Sequence, residues 1–561
     1  MSSTDATPTS PKRHIARRTA LAGAAAAATL AGVGPLAGSA RAAGFGWTDE
    51  GRNYVVDTGA NLVFKINHSN GDLVSLVYRG VEYQGYSGKN SHVESGLGTS
   101  AVTIATIGST ILVTVVHGTL KHYYAARSGQ NTIYMWTYKA DDTVAAGRYV
   151  VRVKPGIFPN TGPDAWDETT GTVVEAADIW RSTSGTTHSK HYSGLRAMDY
   201  DYVGKTTGSV GLWLVRSNHE KASGGPFYRS LLRGSTTAAQ DFYEILHYSM
   251  AQSDVLRFGL QGPYLLTFTD GDTPSSSLYA RNLDTSWADS LGLTGWVGRS
   301  RRGRVVGNGI SGMDTSVPYT VGFSNASAQY WASASSSSGA YVCENMLPGT
   351  YTLTACKGEL AVATTSVTVS AGSTSTVGTL TATGDPSKAS VIWRIGDWNG
   401  TPAGFKNADL MTIAHPSDVR AASWTGNYVV GSSSAAQFPC YMWKDVNNDL
   451  LVYFKLTAAQ AAAAHTLRIG LTAGYIGGRP QVSVNSWTSS VPTAPTQPAT
   501  RSLTVGTYRE NNVTLSYSVP ATAWQKDTSQ YNVLKLSVVS GSTGTGFLSP
   551  GVSFDCLDLL A

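Results

Sequence analysis

The sequence predicts an all-β protein made of three β domains in a row, and three observations support this. Short runs rich in Val, Ile, Thr, Tyr and Trp recur between turn residues, for example residues 110–120, 132–139 and 264–269. Helical periodicity is nearly absent, since the Ala-rich residues 458–464 span at most about two turns and show no apolar stripe. Charged residues make up 14% and aromatic residues 10% of the chain, which favours a folded protein over a disordered one.

The chain begins with the features of an export signal. Arg17 and Arg18 precede an apolar run at residues 20–31, and small residues at 39–43 resemble a cleavage site. The paired arginines indicate the twin-arginine route, which carries already folded proteins. The apolar run is shorter than the ~20 residues that a membrane span needs, although an uncleaved anchor remains the alternative. We therefore expect residues 1–42 to be removed and the mature protein to be extracellular and free of the membrane.

The net charge argues against a nucleic-acid partner. The formal charge of the whole chain is +5, but residues 1–42 contain five basic residues and one acidic residue. Their balance of +4 leaves about +1 for the mature chain. Domains that bind nucleic acid usually carry a strong basic patch. We therefore expect no nucleic-acid binding.

Two shifts in composition divide the mature chain. Around residues 284–293 an aromatic-rich region gives way to an Arg-rich segment, which opens about ninety residues of strand-like sequence, the size of a small β-sandwich. Residues 384–387, Gly-Asp-Pro-Ser, indicate a linker because Pro and Gly do not continue a central strand. The predicted domains cover residues 44–290, 291–384 and 388–561.

The four cysteines form no C-x-x-C pair, which argues against a zinc ribbon or a redox motif. Cys343 and Cys356 flank a Leu-Pro-Gly turn, so two adjacent strands would bring them together in a disulfide. Cys440 and Cys556 would then form a second, long-range pair. Four buried free thiols are the alternative, and the sequence leaves both interpretations open.

The sequence shows no signature of a cofactor. Residues 307–312 fit G-x-G-x-x-G, but no helix pattern follows, so we interpret them as a turn rather than a dinucleotide site. The eleven histidines lack the spacing of a catalytic zinc site. Structural calcium stays open, because loop carboxylates and carbonyls leave no clear sequence pattern. We predict that no cofactor is required.

Three polar features are candidates for a site, and each has a structural alternative. Lys190 lies between His188 and His191, where burial or nearby cations would lower its pKa, although most lysines are simply solvated. Arg148 begins an apolar strand and is equally compatible with a sheet edge. Residues 243–250 combine polar and aromatic side chains in a strand-like run, as an interior strand with one histidine would.

A series of short motifs runs through the whole mature chain. In order, they are Ser95-Gly-Leu-Gly98, Ser189-Lys190-His191-Tyr192, Ser223-Gly-Gly-Pro-Phe227, Gly259-Leu-Gln-Gly-Pro-Tyr264, Ala328-Gln-Tyr-Trp331, Leu347-Pro-Gly-Thr-Tyr351, Ile395-Gly-Asp-Trp398, His415-Pro-Ser-Asp418, Arg468-Ile-Gly470 and Gly478-Arg-Pro480. This order resembles the rhamnogalacturonan lyases of polysaccharide lyase family 4. The resemblance implies a large β-sandwich catalytic domain, a fibronectin-III-like β-sandwich and a jelly-roll domain resembling carbohydrate-binding modules.

The resemblance also implies an activity and the residues that perform it. The family cuts the α-1,4 bond between rhamnose and galacturonate in rhamnogalacturonan I of pectin by endo-acting β-elimination, which leaves a 4,5-unsaturated uronate. Lys190 matches the catalytic base and Arg148 the residue that binds the substrate carboxylate, a role that suits its planar fork. Tyr243 and Tyr192 match positions in the active site that contact substrate.

One position departs from the family pattern. Met250 occupies the place of the general-acid histidine, and a thioether cannot donate a proton. His247 lies three residues earlier, so on a regular strand it faces the opposite side and substitutes only if a bulge redirects it. Tyr243, Tyr248 or a water molecule are the other candidates. The chain is therefore a lyase with an unassigned acid, an inactive pectin-binding protein, or a lyase for another uronate polysaccharide.

The expected partner is a pectic polysaccharide, bound by a monomeric protein. Trp393, Trp398 and Trp424 of the C-terminal domain are candidates for stacking on sugar rings. The alternative, that they fill a sandwich core, is equally open, because large aromatic side chains are usually mostly buried.

Overall fold

The structure is a computed structural model that describes residues 44–84, 88, 90–144, 147–159, 171–175, 179–189, 195–229, 233–235, 238–247, 255–411, 413–494 and 512–561. The predicted leader and the predicted site residues Lys190, Tyr192 and Met250 lie outside this range, and His247 is described for its backbone. Almost all regular structure in the described ranges is β-strand, which confirms the predicted all-β class. No described helix is long and apolar enough to cross a membrane.

The N-terminal domain is the largest of three β domains. Its strands are β1 (Gly46–Asp49), β2 (Asn53–Asp57), β3 (Leu62–Asn67), β4 (Leu73–Tyr78), β5 (Val81–Glu82), β6 (His92–Val93), β7 (Ala101–Ile107), β8 (Thr110–His117), β9 (Leu120–Arg127), β10 (Thr132–Lys139), β11 (Gly147–Val153), β12 (Thr172–Glu175), β13 (Ile179–Arg181), β14 (Thr187–Ser189), β15 (Tyr202–Thr206), β16 (Gly211–Val215), β17 (Arg233–Ser235), β18 (Gln240–His247) and β19 (Gly259–Thr269). Within the described residues they form sheets in the orders β1-β2-β3-β4-β5, β15-β16-β19-β10-β9-β8-β7, β17-β18-β11-β6 and β12-β13-β14.

Strand β10, at the centre of its sheet, is buried on both faces. Ile133 and Met135 of β10 belong to the main core, which also contains side chains of the first and third sheets. Tyr134 and Trp136 point the other way and pack against the segment that contains Leu283. A strand covered on both faces is apolar throughout, which explains why residues 132–139 show no alternation of polar and apolar positions.

The second domain is a small sandwich. Its strands are β20 (Gly303–Gly307), β21 (Ile310–Ser311), β22 (Tyr319–Ser324), β23 (Gln329–Ser333), β24 (Tyr341–Met346), β25 (Gly349–Lys357), β26 (Leu360–Val369), β27 (Thr374–Val377) and β28 (Leu380–Thr381). They pair in the orders β24-β20-β27, β21-β28 and β23-β22-β25-β26. A buried ion pair between Arg229 and Glu359, with Nη2 and Oε1 2.9 Å apart, joins it to the first domain.

The third domain is a sandwich of two sheets. Its strands are β29 (Val391–Gly396), β30 (Tyr428–Val429), β31 (Tyr441–Trp443), β32 (Leu450–Phe454), β33 (His465–Tyr475), β34 (Arg479–Val484), β35 (Trp487–Thr488), β36 (Val513–Val519), β37 (Asn532–Val539) and β38 (Gly551–Leu560). In the part of the chain described here, one sheet runs β29-β38-β33-β36, with β31 also on β38, and the other runs β30-β32-β37-β34-β35.

Helical structure is short. The Ala-rich run forms one short helix, α2 (Ala458–Ala461). Thr457 caps its N-terminus, because the hydroxyl oxygen of Thr457 accepts a hydrogen bond from the backbone N–H of Gln460. The other helices in the described residues are also short. The α-helix α1 is Ala408–Met411, and the 3₁₀ turns are Ser276–Leu278, Ser286–Ser290, Arg299–Arg301, Pro386–Lys388, Ala435–Gln437, Ala521–Ala523 and Gly546–Leu548. The prediction that the Ala-rich run spans at most two helical turns is confirmed by the length of α2.

All four cysteines are buried free thiols, so the disulfide interpretation was wrong. The strands that flank the Leu-Pro-Gly turn belong to different sheets: Cys343 lies on β24, which pairs with β20, whereas Cys356 lies on β25, which pairs with β22. Cys440 and Cys556 are likewise separated, because they belong to different packing clusters.

The three candidate tryptophans of the third domain are buried, which supports the core interpretation. Trp393, Trp398 and Trp424 retain 5%, 1% and 7% exposure, so their faces are not available to a sugar. Trp398 packs within the cluster of the second domain, so it joins the cores of the second and third domains.

Candidate active site

Arg148 and Tyr243 lie on adjacent strands of one sheet. β11 and β18 are antiparallel, and their register pairs Arg148 with Ile245 and Val150 with Tyr243. Paired residues share a face and side chains alternate along a strand, so Arg148, Val150 and Tyr243 share one face. Tyr149, between the first two, points into the main core on the other side. The structure therefore brings together two predicted site residues that are far apart in the sequence.

The guanidinium of Arg148 is held by neutral acceptors. Its Nε donates to the backbone carbonyl of Glu94 at 3.1 Å, and its Nη2 donates to the hydroxyl of Ser95 at 2.9 Å. Glu94 has a φ of 59° and returns a hydrogen bond from its own N–H to the carbonyl of Arg148 at 2.8 Å. Among the described residues, no carboxylate oxygen forms an ion pair with the guanidinium of Arg148. Its charge is positioned by the Ser95 motif without being neutralised.

Tyr243 is buried beside a carboxylate. Its exposed fraction is 5%, and its hydroxyl donates to Oδ2 of Asp241 at 3.2 Å. Burial, together with the negative charge of Asp241, raises the pKa of Tyr243 well above its usual value, against the opposing charges of Arg152 and Arg148. The phenol therefore keeps its proton at neutral pH.

His92 is a further member of this face that sequence reasoning missed. It lies on β6, which borders β11 on the edge away from β18, and it pairs with Val150. The register therefore aligns His92, Val150 and Tyr243 across three strands. His92 is mostly buried. The sequence contained a hint of His92, because this residue lies three positions before the Ser95 motif. It also contained a hint of Asp241, which lies two positions before Tyr243 and therefore on the same face of the strand.

His247 lies at the end of β18, next to an irregularity in the sheet. Gly147 pairs with His247 and Arg148 pairs with Ile245, so Leu246 is an extra residue in β18. A bulge of this kind changes the direction of neighbouring side chains. The side chain of His247 lies outside the described residues, so its role as the acid stays a prediction.

Lys190 lies outside the described residues, whereas the strand directly before it lies within them. β14 ends at Ser189, the residue directly before Lys190, and pairs with β13 so that Ser189 lies opposite Ile179. His188 of this strand is partly buried and close to Arg420 of the third domain, and both lower its pKa. The segment leading to Lys190 therefore contacts the third domain.

No metal site is evident in the described part of the chain. No group of three or more His, Cys, Asp or Glu side chains there is arranged to hold a metal ion. The Arg148 face carries a fixed cation, a protonated phenol, a buried histidine and the carboxylate of Asp241, which accepts the hydrogen bond of the phenol. Such a face suits the binding of an anionic substrate.

Three family models match the chain one after another. Residues 45–295 match "Rhamnogalacturonan lyase B, N-terminal", residues 301–377 match "Polysaccharide lyase family 4, domain II", and residues 391–559 match "Polysaccharide lyase family 4, domain III".

Curated relatives match over almost their whole length. Rhamnogalacturonate lyase A of Emericella nidulans is 40% identical over 523 residues, which cover 92% of this chain and 96% of the relative. The protein of the same name from Aspergillus aculeatus is 39% identical with the same coverage. A putative rhamnogalacturonase of Neurospora crassa is 37% identical over 92% of this chain and 96% of its own length.

Proposed function

The chain belongs to polysaccharide lyase family 4, and we propose that it cleaves the rhamnose–galacturonate bonds of rhamnogalacturonan I by endo-acting β-elimination. The relatives named rhamnogalacturonate lyase support the substrate class. The observation that carries the proposal is the guanidinium of Arg148, which is fixed by two neutral acceptors and has no described carboxylate partner. A galacturonate carboxylate is the anion that this position would accept.

Arg148 lowers the cost of removing the proton at C5. That proton is only weakly acidic, because its loss places negative charge beside a carboxylate that is already charged. A guanidinium that binds both carboxylate oxygens offsets the charge that develops in the transition state. Its prior fixation by Glu94 and Ser95 means that little reorganisation is needed during the reaction.

Lys190 is the proposed base, on the resemblance of its motif. Its amine takes the C5 proton, a double bond forms between C4 and C5, and the C4–O bond to the leaving sugar breaks. The amine can act as a base when it is uncharged, and we propose that Arg148 lies close enough in the folded enzyme for its positive charge to favour that form by lowering the pKa of Lys190.

The leaving oxygen also needs a proton, and Met250 cannot supply it. Tyr243 is a phenol on the Arg148 face that retains its proton at neutral pH, which makes it our proposed donor. The single proton of that phenol is donated to Asp241 in the structure, so the O–H must rotate away from Asp241 to transfer its proton to the leaving oxygen.

We further propose that the enzyme works outside the cell after export by the twin-arginine route, as a monomer that needs no cofactor. The signal-like residues 1–42 support the export. The mature chain would then meet pectic polysaccharide directly.

Incubation of the mature chain with rhamnogalacturonan I tests the proposal. We expect ultraviolet absorbance of the unsaturated uronate to rise with time and long polymers to shorten early, as endo cleavage requires. Lys190→Ala should abolish the signal. If wild type and variant both give no product while both sediment with the polymer, the protein is a pectin-binding protein. Product from homogalacturonan or alginate instead would assign a different uronate substrate.

A further inference from the structure

We propose that Asp418 of the third domain is a positioning residue for the lyase reaction, because it holds the strand that leads directly into Lys190. This inference rests on the proposed function of Lys190 as the base. It gives the third domain a role in catalysis that is separate from any binding of polysaccharide.

The carboxylate of Asp418 binds the first residue of β14 twice. Its Oδ2 accepts the backbone N–H of Thr187 at 2.5 Å and the hydroxyl of Thr187 at 2.8 Å. Both residues are almost completely buried, with 3% and 1% exposure. The contact joins positions that are 231 residues apart in the chain.

Arg420 completes the coordination of this carboxylate. Its Nε donates to Oδ1 and its Nη2 to Oδ2, each at 2.8 Å, and its backbone N–H also donates to Oδ1 at 2.8 Å. Burial disfavours the charged carboxylate, but the hydrogen bonds from Arg420 and Thr187 outweigh it and hold the pKa of Asp418 well below its usual range. Asp418 is therefore charged at any working pH of the enzyme.

Other residues of the same loop bind the rest of the hairpin. We call residues 415–420 the clamp loop and β13–β14 the base hairpin. The backbone N–H of His415 donates to the hydroxyl of Thr187 at 2.9 Å, and the N–H of Val419 donates to the carbonyl of Gly185 at 3.1 Å. Arg181 of β13 donates to the hydroxyl of Ser417. The clamp loop thus contacts both strands of the base hairpin and the turn between them.

The base hairpin depends on this contact because its own sheet is small. In the described residues, β13 and β14 have three residues each and pair with each other, and β13 also pairs with β12, in a sheet separate from the larger ones. A two-stranded hairpin is marginally stable on its own, so packing against another element helps to fix its position. The clamp loop provides it.

A shift of the base hairpin would move Lys190. Consecutive Cα atoms are about 3.8 Å apart, so the position of Ser189 limits where the backbone of the next residue can lie. A misplacement of about 1 Å can cost about 10²-fold in rate. The clamp loop therefore fixes the starting point of the segment that carries the base.

The test compares variants that loosen the clamp with matched controls. Thr187→Val removes the hydroxyl and keeps the shape, whereas Thr187→Ser keeps the hydroxyl. Asp418→Asn removes the charge that binds Thr187. Asp558→Asn is the control for stability. Asp558 is also a buried aspartate of the third domain, and its carboxylate forms ion pairs with Arg394 and Arg468.

Two measurements are made at a temperature at which circular dichroism shows every variant folded. The first is kcat and KM for rhamnogalacturonan I, with Lys190→Ala as the inactive reference. The second is hydrogen exchange at the amide of Thr187. We expect Asp418→Asn and Thr187→Val to lower kcat about 10- to 100-fold with KM nearly unchanged. Exchange at Thr187 should accelerate in Asp418→Asn, while Thr187→Ser and Asp558→Asn should keep the kcat of the wild type.

Three outcomes would overturn the inference. Exchange at Thr187 that is unchanged in Asp418→Asn would show that the carboxylate does not hold the hairpin. A wild-type kcat despite faster exchange would show that the hairpin does not position the base. An equal loss of kcat in Asp558→Asn would assign the effect to stability. If the wild type gives no product, or if Lys190→Ala is as active as the wild type, it is the proposed function that fails. Hydrogen exchange at Thr187 then still shows whether the clamp loop holds the base hairpin.

Discussion

The hydroxyl of Tyr243 donates to the carboxylate of Asp241 at 3.2 Å, on the sheet face that also carries Arg148. The carboxylate of Asp241 contacts this phenol, whereas Arg148 donates to the backbone carbonyl of Glu94 and to the hydroxyl of Ser95. Within the described ranges, this face thus presents a guanidinium without a carboxylate partner on the same sheet as a phenol that keeps its proton. Elimination next to a carboxylate needs both, a cation for the acid group and a proton for the leaving oxygen.

Replacement of Arg148 should remove most of the activity. We expect Arg148→Ala to lower kcat/KM about 10²- to 10³-fold, because the charge that develops beside the substrate carboxylate loses its partner. Arg148→Lys should recover a small part, since an ammonium cannot bind two oxygens in a fixed plane. Arg304→Ala, which removes a half-exposed arginine of the second domain, is the control and should match the wild type. Equal activity of Arg148→Ala and wild type would exclude the carboxylate role.

Removal of the hydroxyl of Tyr243 should slow the reaction without unfolding the protein. We expect Tyr243→Phe to lower kcat about 10²-fold, the lower range for loss of a proton donor, while the ring still packs beside Tyr228. Tyr517→Phe is the matched control, because Tyr517 is also a buried phenol, and its hydroxyl donates to the carbonyl of Pro480 in the third domain. The control should lose stability but keep kcat. An unchanged kcat in Tyr243→Phe would assign the proton to another group.

The sequence predicted strands well and their partners poorly. The apolar strand that begins at Arg148 is predicted correctly from its β-branched and aromatic content, which is a local property. That Val150 pairs with both His92 and Tyr243 depends on register between distant segments, which no local pattern encodes. The side-chain alternation then explains why Asp241 belongs to the site, once the position of Tyr243 is known.

The cysteines and the clamp loop show the same limit. The turn between Cys343 and Cys356 was predicted correctly, but the chain passes from one sheet of the sandwich to the other there, and the thiols separate. Asp418 was recognised as part of a motif, yet its partner Thr187 lies in another domain. Tertiary packing of this kind has no signature in either segment.

The four cysteines should be unreactive until the protein unfolds. Burial raises the pKa of Cys343 to about 12 and also raises that of Cys440 and Cys556, so little reactive thiolate is present. We expect a thiol reagent to modify none of them in the native mature chain and all four in denaturant. A reducing agent should leave the melting temperature unchanged. Fewer than four reactive thiols in denaturant would indicate a disulfide.

Acid should destabilise the protein through His122. This residue is fully buried on β9, where its ring stacks on Tyr149, and burial lowers its pKa from 6.5 to about 3. Between these values the unfolded chain binds the proton and the folded chain does not, so stability falls as pH decreases from 6.5 towards 3. The largest slope is about 1.4 kcal/mol per pH unit.

Denaturant unfolding of the wild type and His122→Asn at pH 6.5 and pH 4.5 checks this prediction. The variant has no imidazole to protonate, so it should lose less of its free energy of unfolding over this interval than the wild type. Other titrating groups contribute equally to both proteins and cancel in the comparison. Equal losses would mean that His122 can be protonated inside the fold.

Asp558 should stabilise the junction between the second and third domains. Its carboxylate is fully buried, and it accepts hydrogen bonds from Arg394, from Arg468 and from Nε1 of Trp398 at 2.7–3.1 Å. Arg468 also lies over the ring of Trp398, which packs in the core of the second domain. The carboxylate thus balances two guanidinium groups at the point where the two cores meet.

Loss of that charge leaves two partly buried cations without their partner. We expect Asp558→Asn to lower the free energy of unfolding by about 3–5 kcal/mol, as found when one member of a buried pair is removed. Asp527→Asn is the control, because Asp527 is exposed and accepts hydrogen bonds from the neighbouring Ser529. It should change stability by about 0.5 kcal/mol or less. If both variants unfold at the same denaturant concentration, Arg394 and Arg468 must be compensated by solvent, and the junction then depends on apolar packing around Trp398 instead.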